Sequence, residues 1–541
     1  MKKFTELKPK QLLLMALLCV MVLFTGCSTD AIIEKKPGSE ALVPEVEGKD
    51  SNAAARGGVD PGIDDQVYDG WVNAYLIRSG GQTYFCNSLT DRSRAFMWGQ
   101  AYMITGVEDF YDKSHRADAK QLIIDLLNTF IANEITPPAS KDLSWDSWND
   151  DVEWAVIALI RGYQITGNTA YRDAAVKNWN VVYNRGWDNT YGGGVWENME
   201  DVPNGGKIAL SNYPFIISGC MIYNATGNAD VLNKCIATYA WARRLLNTTN
   251  GRLYEGWGPN GLSVTSDDNI YNSGLFVNAA NALYQITGTA SYLDDAKFAA
   301  AHVISAWPIL DQDKPANGDF GADQFVRGLS LLASQNNLWD MYREYLTKQC
   351  LAAWSWRRYD SNISWNVWSA ATPTGDVRAM EAEGSVVLQA VTPTEPYEPI
   401  ADGTYRIVNR NSGKVLDCRG GNTANGTTVQ QYTWNSTNAQ RWTITGLGNG
   451  QYKVINVGSG RALDVKDVST APAATVHIWD YVGWNNQKVS ITSPANGYYT
   501  LSFVHSGKVL DVQSGSTAES ANVIQYGYHG GNSEQWQLIK L

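Results

Sequence analysis

A short pentad recurs along the first two thirds of the chain, at nearly equal intervals: Tyr102-Met-Ile-Thr-Gly106, Tyr163-Gln-Ile-Thr-Gly167, Tyr223-Asn-Ala-Thr-Gly227 and Tyr284-Gln-Ile-Thr-Gly288. A repeat on this scale is one supersecondary unit that buries its apolar face only by stacking on its neighbours. Each Thr-Gly follows an apolar-periodic run, such as Val152 to Ile165, and precedes another, such as Tyr171 to Trp179. The glycine is therefore expected to end one helix shortly before the next begins, which makes each period a helical hairpin. The stretch from 61 to 395 holds between five and six such hairpins. The spacing alone fits an open solenoid or a closed ring.

A different repeat follows. Lys414-Val-Leu-Asp417, Arg461-Ala-Leu-Asp464 and Lys508-Val-Leu-Asp511 place aspartates at equal intervals, and the same offset links Tyr432, Trp479 and Tyr526, then Asn438, Asn485 and Asn532. Three copies of short alternating strands with turn residues predict a three-fold β structure rather than a sandwich. Between the two repeats, Val391 to Ile400 carries three prolines, which stop any helix and mark a junction.

Residues 1–26 read as an export signal. Lys2, Lys3, Lys8 and Lys10 precede an apolar stretch from Leu12 to Phe24, too short for a comfortable membrane span, and Thr25-Gly26-Cys27 follows. This ending resembles the bacterial lipobox, which implies lipidation at Cys27 and a lipoprotein of the outer membrane or cell surface, with its periplasmic face as another location and plain signal cleavage as the alternative. Residues 27–60 show no sustained period and read as a flexible tether. The resulting division is signal 1–26, tether 27–60, helical domain 61–395 and β domain 396–541.

Lysine plus arginine number 43 against 54 acidic residues, a net charge of −11, which gives no footprint for nucleic acid. The 21 tryptophans and 28 tyrosines exceed ordinary packing needs and suit sugar faces. Beyond the leader and Cys27, Cys86, Cys220, Cys235, Cys350 and Cys418 show no C-x-x-C spacing, so buried free thiols are expected, with Cys220 and Cys235 as the one pair that a hairpin brings close. Only His115 and His302 precede the junction, which disfavours a Ser-His-Asp triad or a histidine-rich metal site. No cofactor or metal is expected, and the chain is expected to be a monomer.

Chemistry concentrates in Ser144-Trp-Asp-Ser-Trp-Asn-Asp-Asp-Val-Glu-Trp154, which leads into a pentad-terminated helix. Ser147 or Asn149 is the expected cap, with Asp150 and Asp151 in the first turn. Asp150 stands at the same offset before Tyr163 as Leu210 before Tyr223 and Tyr271 before Tyr284, so these helix starts should gather at one end of the ring. Paired carboxyls with unequal proton affinity can protonate a glycosidic oxygen and attack the anomeric carbon. A separation of roughly 5 Å suits retention, and an inverting separation of about 6.5–9.5 Å stays open. Two acids at a helix start also serve simply to satisfy amides and the macrodipole.

Together with Gly192-Gly-Gly-Val-Trp196, Lys207, Tyr271-Asn-Ser-Gly274 and Phe325-Val-Arg-Gly328, the segment Asn149-Asp-Asp-Val-Glu-Trp154 resembles glycoside hydrolase family 76, the α-1,6-mannanases. The resemblance implies a closed (α/α)6 toroid, endo-cleavage of α-1,6-linked mannan with retention, Asp150 as nucleophile and Asp151 as general acid/base. It implies substrate contacts from Trp98, Gln100, Trp148, Trp196, Asn212, Tyr271, Asn272 and Arg327. Ser273 and Glu197 depart from the family pattern, which puts substrate fit or activity in question.

The second repeat resembles ricin-type β-trefoil lectins: Gln440-Arg-Trp442 matches their Q-x-W signature, and Gln487-Lys-Val489 and Glu534-Gln-Trp536 are degenerate copies. That implies sugar-binding sets Asp417, Tyr432, Asn438; Asp464, Trp479, Asn485; and Asp511, Tyr526, Asn532. The partner is then a polysaccharide, gripped by several weak sites. Two other readings compete: a non-catalytic surface glycan-binding lipoprotein, and an (α/α)6 glycosidase for another α-glycan.

Overall fold

The computed structural model describes residues 62–263, 269–311, 321–393, 400–448, 450–495 and 497–541. The leader, Cys27, the tether and the prolines at 396 and 399 lie outside the described residues. Among those described, no helix is long and apolar enough to cross a membrane.

Among the described residues, twelve α-helices precede the junction: α1 (Ile63–Tyr75), α2 (Met97–Ser114), α3 (Ala117–Phe130), α4 (Asn149–Thr166), α5 (Thr169–Gly186), α6 (Ala209–Thr226), α7 (Ala229–Ala242), α8 (Ile270–Thr287), α9 (Ala290–Ala306), α10 (Ala322–Gln335), α11 (Trp339–Ser355) and α12 (Ala379–Val391). Each even-numbered helix packs on the next, and α12 returns to α2, so six helices close an inner ring. The odd-numbered helices pack outside it, giving the (α/α)6 toroid. Inner helices such as α6 are buried along nearly their whole length, whereas outer ones such as α3 bury one face.

Gly167, Gly227 and Gly288 end α4, α6 and α8 in the left-handed conformation, each donating its N–H to the pentad tyrosine carbonyl. Gly106 does not. It lies inside α2, which runs on to His115, and a Cβ at Gly106 would meet Glu383 Oε1 of α12 at 2.6 Å. There the glycine serves a close helix contact rather than a stop. Gly274 of α8 likewise faces the α10 backbone, where a Cβ would lie 2.3 Å from Phe325 N.

Beyond the junction each repeat supplies four strands. The outer two of each repeat (Gly403–Asn409 and Trp442–Gly448, Gln451–Asn456 and Lys488–Ala495, Tyr498–Phe503 and Trp536–Lys540) pair around a closed barrel. The barrel is sealed where Trp536–Lys540 runs antiparallel to Gly403–Asn409. The inner two of each repeat form hairpins, and Trp442 and Trp536 sit in the core, their indoles donating to Leu416 O and Leu510 O at 2.9 Å. This is a β-trefoil.

The trefoil is docked on the outer wall of the toroid. Trp356, just past α11, lies over Gly527, donates to Tyr528 O at 3.2 Å and meets the Tyr526 ring edge-on. Lys508 reaches Ser355 O at 3.1 Å and the Tyr359 hydroxyl at 2.7 Å, and Tyr359 donates to Ser506 O. The five cysteines are free and buried, with Cys235 against Cys220 as neighbouring thiols.

Candidate active site

The starts of α4, α6 and α8 occupy equivalent positions, as their constant offsets from the pentads require, and the carboxylates gather at that end of the ring. The cap of α4 differs from expectation. Trp148 occupies the N-cap without a side-chain cap bond, while Asp146 accepts its N–H at 2.9 Å. Asn149 does not cap because its side chain is committed elsewhere, donating to Trp196 O at 2.7 Å and accepting from Arg185 Nε at 2.9 Å.

Those bonds lay the glycine-rich segment across the start of α4. Gly192, Gly193 and Gly194 all have positive φ, and a Cβ on Gly194 would strike the Trp241 ring at 2.7 Å. Asn212 then clamps the segment, accepting from Val195 N and donating to Val195 O. Trp196 is buried, donating to Asp188, with the Lys207 ammonium 4.9 Å from its ring. Trp196 and Asn212, expected as substrate contacts, are scaffold: they fix the backbone that carries Glu197.

Asp150 is 8% exposed and its Oδ1 accepts no hydrogen bond. Burial pushes its carboxyl up to about 6, with the backbone N–H groups of Asp150 and Asp151 opposing and Asp146 adding to the rise. Asp151 is pushed further, to about 8, by burial and by repulsion from Asp150 and Asp146. Glu197 is raised to about 7 by burial, Asp150 and Glu255. The site is thus a cluster of acids that share few protons.

Around it stand exposed aromatic faces. Trp148 is 42% exposed, and Phe96, just before α2, meets the exposed Trp145 edge-on at 6.5 Å. Half-buried Trp98 packs edge-on to Tyr102. Tyr271 and Asn272, at the start of α8, both donate to Glu255, at 3.2 and 3.1 Å. Glu255 was missed in the sequence because it belongs to no motif and sits in a connection of irregular length.

Two more expected contacts lie elsewhere. Gln100 is buried and holds the Phe85 backbone, accepting from its N–H and donating to its carbonyl. Arg327 is buried on the ring axis, bound to Asp109 at 2.7 Å and near Asp323 and Glu383. With Arg161, Asp109 and Asn281 it lines a cavity of about 540 Å³ toward the C-terminal ends of the inner helices, away from the acids.

In the trefoil, Asp417 accepts from Gln430 at 2.8 Å beside exposed Tyr432, and Asp464 bonds His477 at 2.7 Å beside exposed Trp479. Asn438, Asn485 and Asn532 are exposed and begin short 3-10 turns. The amide that reaches Asp464 is Asn486, one position later, at 3.0 Å. In the third repeat the partner position is the apolar Ile524, and Tyr526 is partly covered by Trp356.

Residues 66–311 match the model of glycosyl hydrolase family 76, and residues 396–479 and 485–541 match that of the ricin-type β-trefoil lectin-like domain. The α-1,6-mannanase of family 76 from Salegentibacter sp. HEL1_6 shares the fold of the helical domain at 22% identity, covering 61% of this chain and 98% of that one with a TM-score of 0.55. A family 76 mannosidase from Bacteroides thetaiotaomicron VPI-5482 does so at 20% identity, with 61% and 97% covered and a TM-score of 0.52. An inactive variant of the Salegentibacter enzyme, in which two consecutive aspartates are replaced, was solved with α-1,6-mannotetraose, again at 22% identity, with 61% and 97% covered and a TM-score of 0.55. No curated protein matches the chain. The chain therefore joins a helical domain that matches glycosyl hydrolase family 76 to a β domain that matches the ricin-type β-trefoil lectin-like family.

Proposed function

We propose that the helical domain is an endo-acting α-1,6-mannanase working with retention, in which Asp150 attacks and Asp151 shuttles the proton. The observation that carries this is the pair of adjacent, poorly solvated carboxyls in the first turn of α4, Asp150 buried with an Oδ1 that accepts no hydrogen bond; burial pushes Asp150 up to about 6, and burial with repulsion from Asp150 pushes Asp151 up to about 8. Near neutral pH the first is ionised and the second protonated, as nucleophile and acid must be. The paired aspartates replaced in the inactive Salegentibacter mannanase support the same reading.

In the first step an Asp150 oxygen bonds to the anomeric carbon while the bond to the leaving oxygen breaks, and that oxygen takes the Asp151 proton. In the second, Asp151 removes a proton from water, whose oxygen displaces Asp150 from the anomeric carbon. Trp148 and the other exposed aromatics offer faces for the sugar rings. Glu255, held by Tyr271 and Asn272, offers acceptors for hydroxyls.

The trefoil would hold the same polymer, chiefly through the Asp417 and Asp464 repeats, and a lipid on Cys27 would keep the enzyme at the cell surface. Incubation with unbranched α-1,6-mannan should release oligosaccharides whose anomeric configuration is first that of the substrate. Asp150→Asn and Asp151→Asn should each abolish release while leaving retention on immobilised mannan intact. Retention by the wild type with no product from any α-glycan would instead identify a glycan-binding protein.

A further inference from the structure

The third trefoil repeat departs from its siblings at three positions, and the departures converge. The aspartates of the first two repeats are neutralised by donors: Gln430 Nε2 at 2.8 Å for Asp417, and His477 and Asn486 for Asp464. At the position of Gln430 and His477 the third repeat has Ile524, which donates nothing. Asp511 is 3% exposed; Ser533 and the Val512 backbone N–H still donate to its carboxylate, but its Oδ1 is enclosed by protein and accepts no hydrogen bond.

The second departure is at the Q-x-W glutamine. Gln440 and Gln487 each accept a backbone N–H through Oε1 and donate through Nε2 to a backbone carbonyl, Thr433 O and Asp480 O. The third repeat has Glu534, fully buried, whose Oε1 accepts from His529 N and Gly531 N at 2.9 and 3.1 Å. Its Oε2, which also accepts from His529 N at 3.3 Å, puts a second acceptor where the glutamines have a donor. The third departure is His529, which stands where the other repeats have Asn435 and Val482. Its Nε2 lies 3.5 Å from Glu534 Oε2 and 4.0 Å from Asp511 Oδ2.

We propose that Asp511, His529 and Glu534 form a binding site for one divalent transition-metal ion of the Zn2+ class, in place of the sugar site of the other repeats. One donor atom from each residue lies within 4.8 Å of the others, and among the described residues this is the one group of three or more potential ligands with that spacing. Tetrahedral Zn2+ bound at about 2.0–2.2 Å requires donors roughly 3.3–3.5 Å apart, so small rotations of exposed His529 and of Asp511 close the set. One imidazole and two carboxylates suit such an ion and leave a position for water. A dication would also relieve two carboxyls buried side by side, which otherwise repel. Sugar has little access here, because Trp356 of the helical domain stands edge-on to Tyr526 and lies over Gly527.

The test is Zn2+ uptake by the full-length protein after stripping with a chelator, measured by equilibrium dialysis and elemental analysis. The wild type is expected to retain one Zn2+ per chain, and His529→Ala and Asp511→Asn to lose it. Trp479→Ala, in the second repeat, should retain it. Because His529 is substantially exposed, its variant tests the ligand without threatening the fold, and circular dichroism confirms that. No saturable uptake by the wild type, or uptake unchanged in His529→Ala, overturns the proposal.

Discussion

A carboxyl shut away from water ionises at a cost, and that cost has a sign that can be measured. Asp151 holds its proton to about 8 in the folded chain, while in the unfolded chain it loses it near the ordinary value of 3.8. Folding therefore binds a proton between those limits, and stability falls as pH rises through that window. Asp151→Asn, which never ionises, should match the wild type near pH 4 and exceed it at pH 8 by on the order of 2 kcal/mol, or roughly 2–3 °C in melting temperature for a folded unit of this size. Activity should follow a bell, falling below about 6 as Asp150 takes up its proton and above about 8 as Asp151 loses its own. Arg327→Met should act oppositely, destabilising by about 3–5 kcal/mol because Asp109, Asp323 and Glu383 would lose their buried counter-charge. The placement of the aspartate pair in the first turn of α4 was legible in the sequence because a tryptophan-rich approach precedes a countable helix start. Gln100, Asn212 and Arg327, expected as contacts, are buried against protein partners, which the sequence did not signal because a polar residue near a motif looks the same whether it meets substrate or braces the fold. Only the distances tell them apart.

Helices and turns were legible where one residue type has one steric reason to be present. Gly167, Gly227 and Gly288 adopt positive φ at helix ends, so three of the four pentads carry the same meaning in sequence and in space. Gly106 breaks the series because absence of a side chain serves a second purpose, close approach of α12, and the pentad pattern does not distinguish the two. Gly274 and Gly328 illustrate the same use on α8 and α10: a Cβ on Gly328 would lie 2.5 Å from Gly274 O. Gly274→Val should force these helices apart and lower the melting temperature by an amount equivalent to about 3 kcal/mol or more, read in a thermal scan. Ring closure was likewise beyond the reach of periodicity. It rests on α12 packing against α2, a contact between helices from opposite ends of the domain's sequence.

For the whole molecule, the two repeats of different period mark two folds, and the proline-rich junction separates them in sequence but not in space. Trp356, Ser355 and Tyr359 bind the third trefoil repeat directly, an arrangement that no sequence repeat announces. Wild type should therefore unfold in a single calorimetric transition, and Trp356→Ala should split it into two. Retention on mannan should fall strongly with Trp479→Ala and little with Tyr526→Ala. A lectin on a loose leash would sweep a volume and let the cutting centre meet a captured strand anywhere along its length. One bolted to the outer wall has no such freedom, so the distance from grip to cut becomes a property of the fold. The enzyme should act as a ruler, releasing fragments of narrow length distribution, and deleting the trefoil should broaden that distribution rather than only slow the reaction.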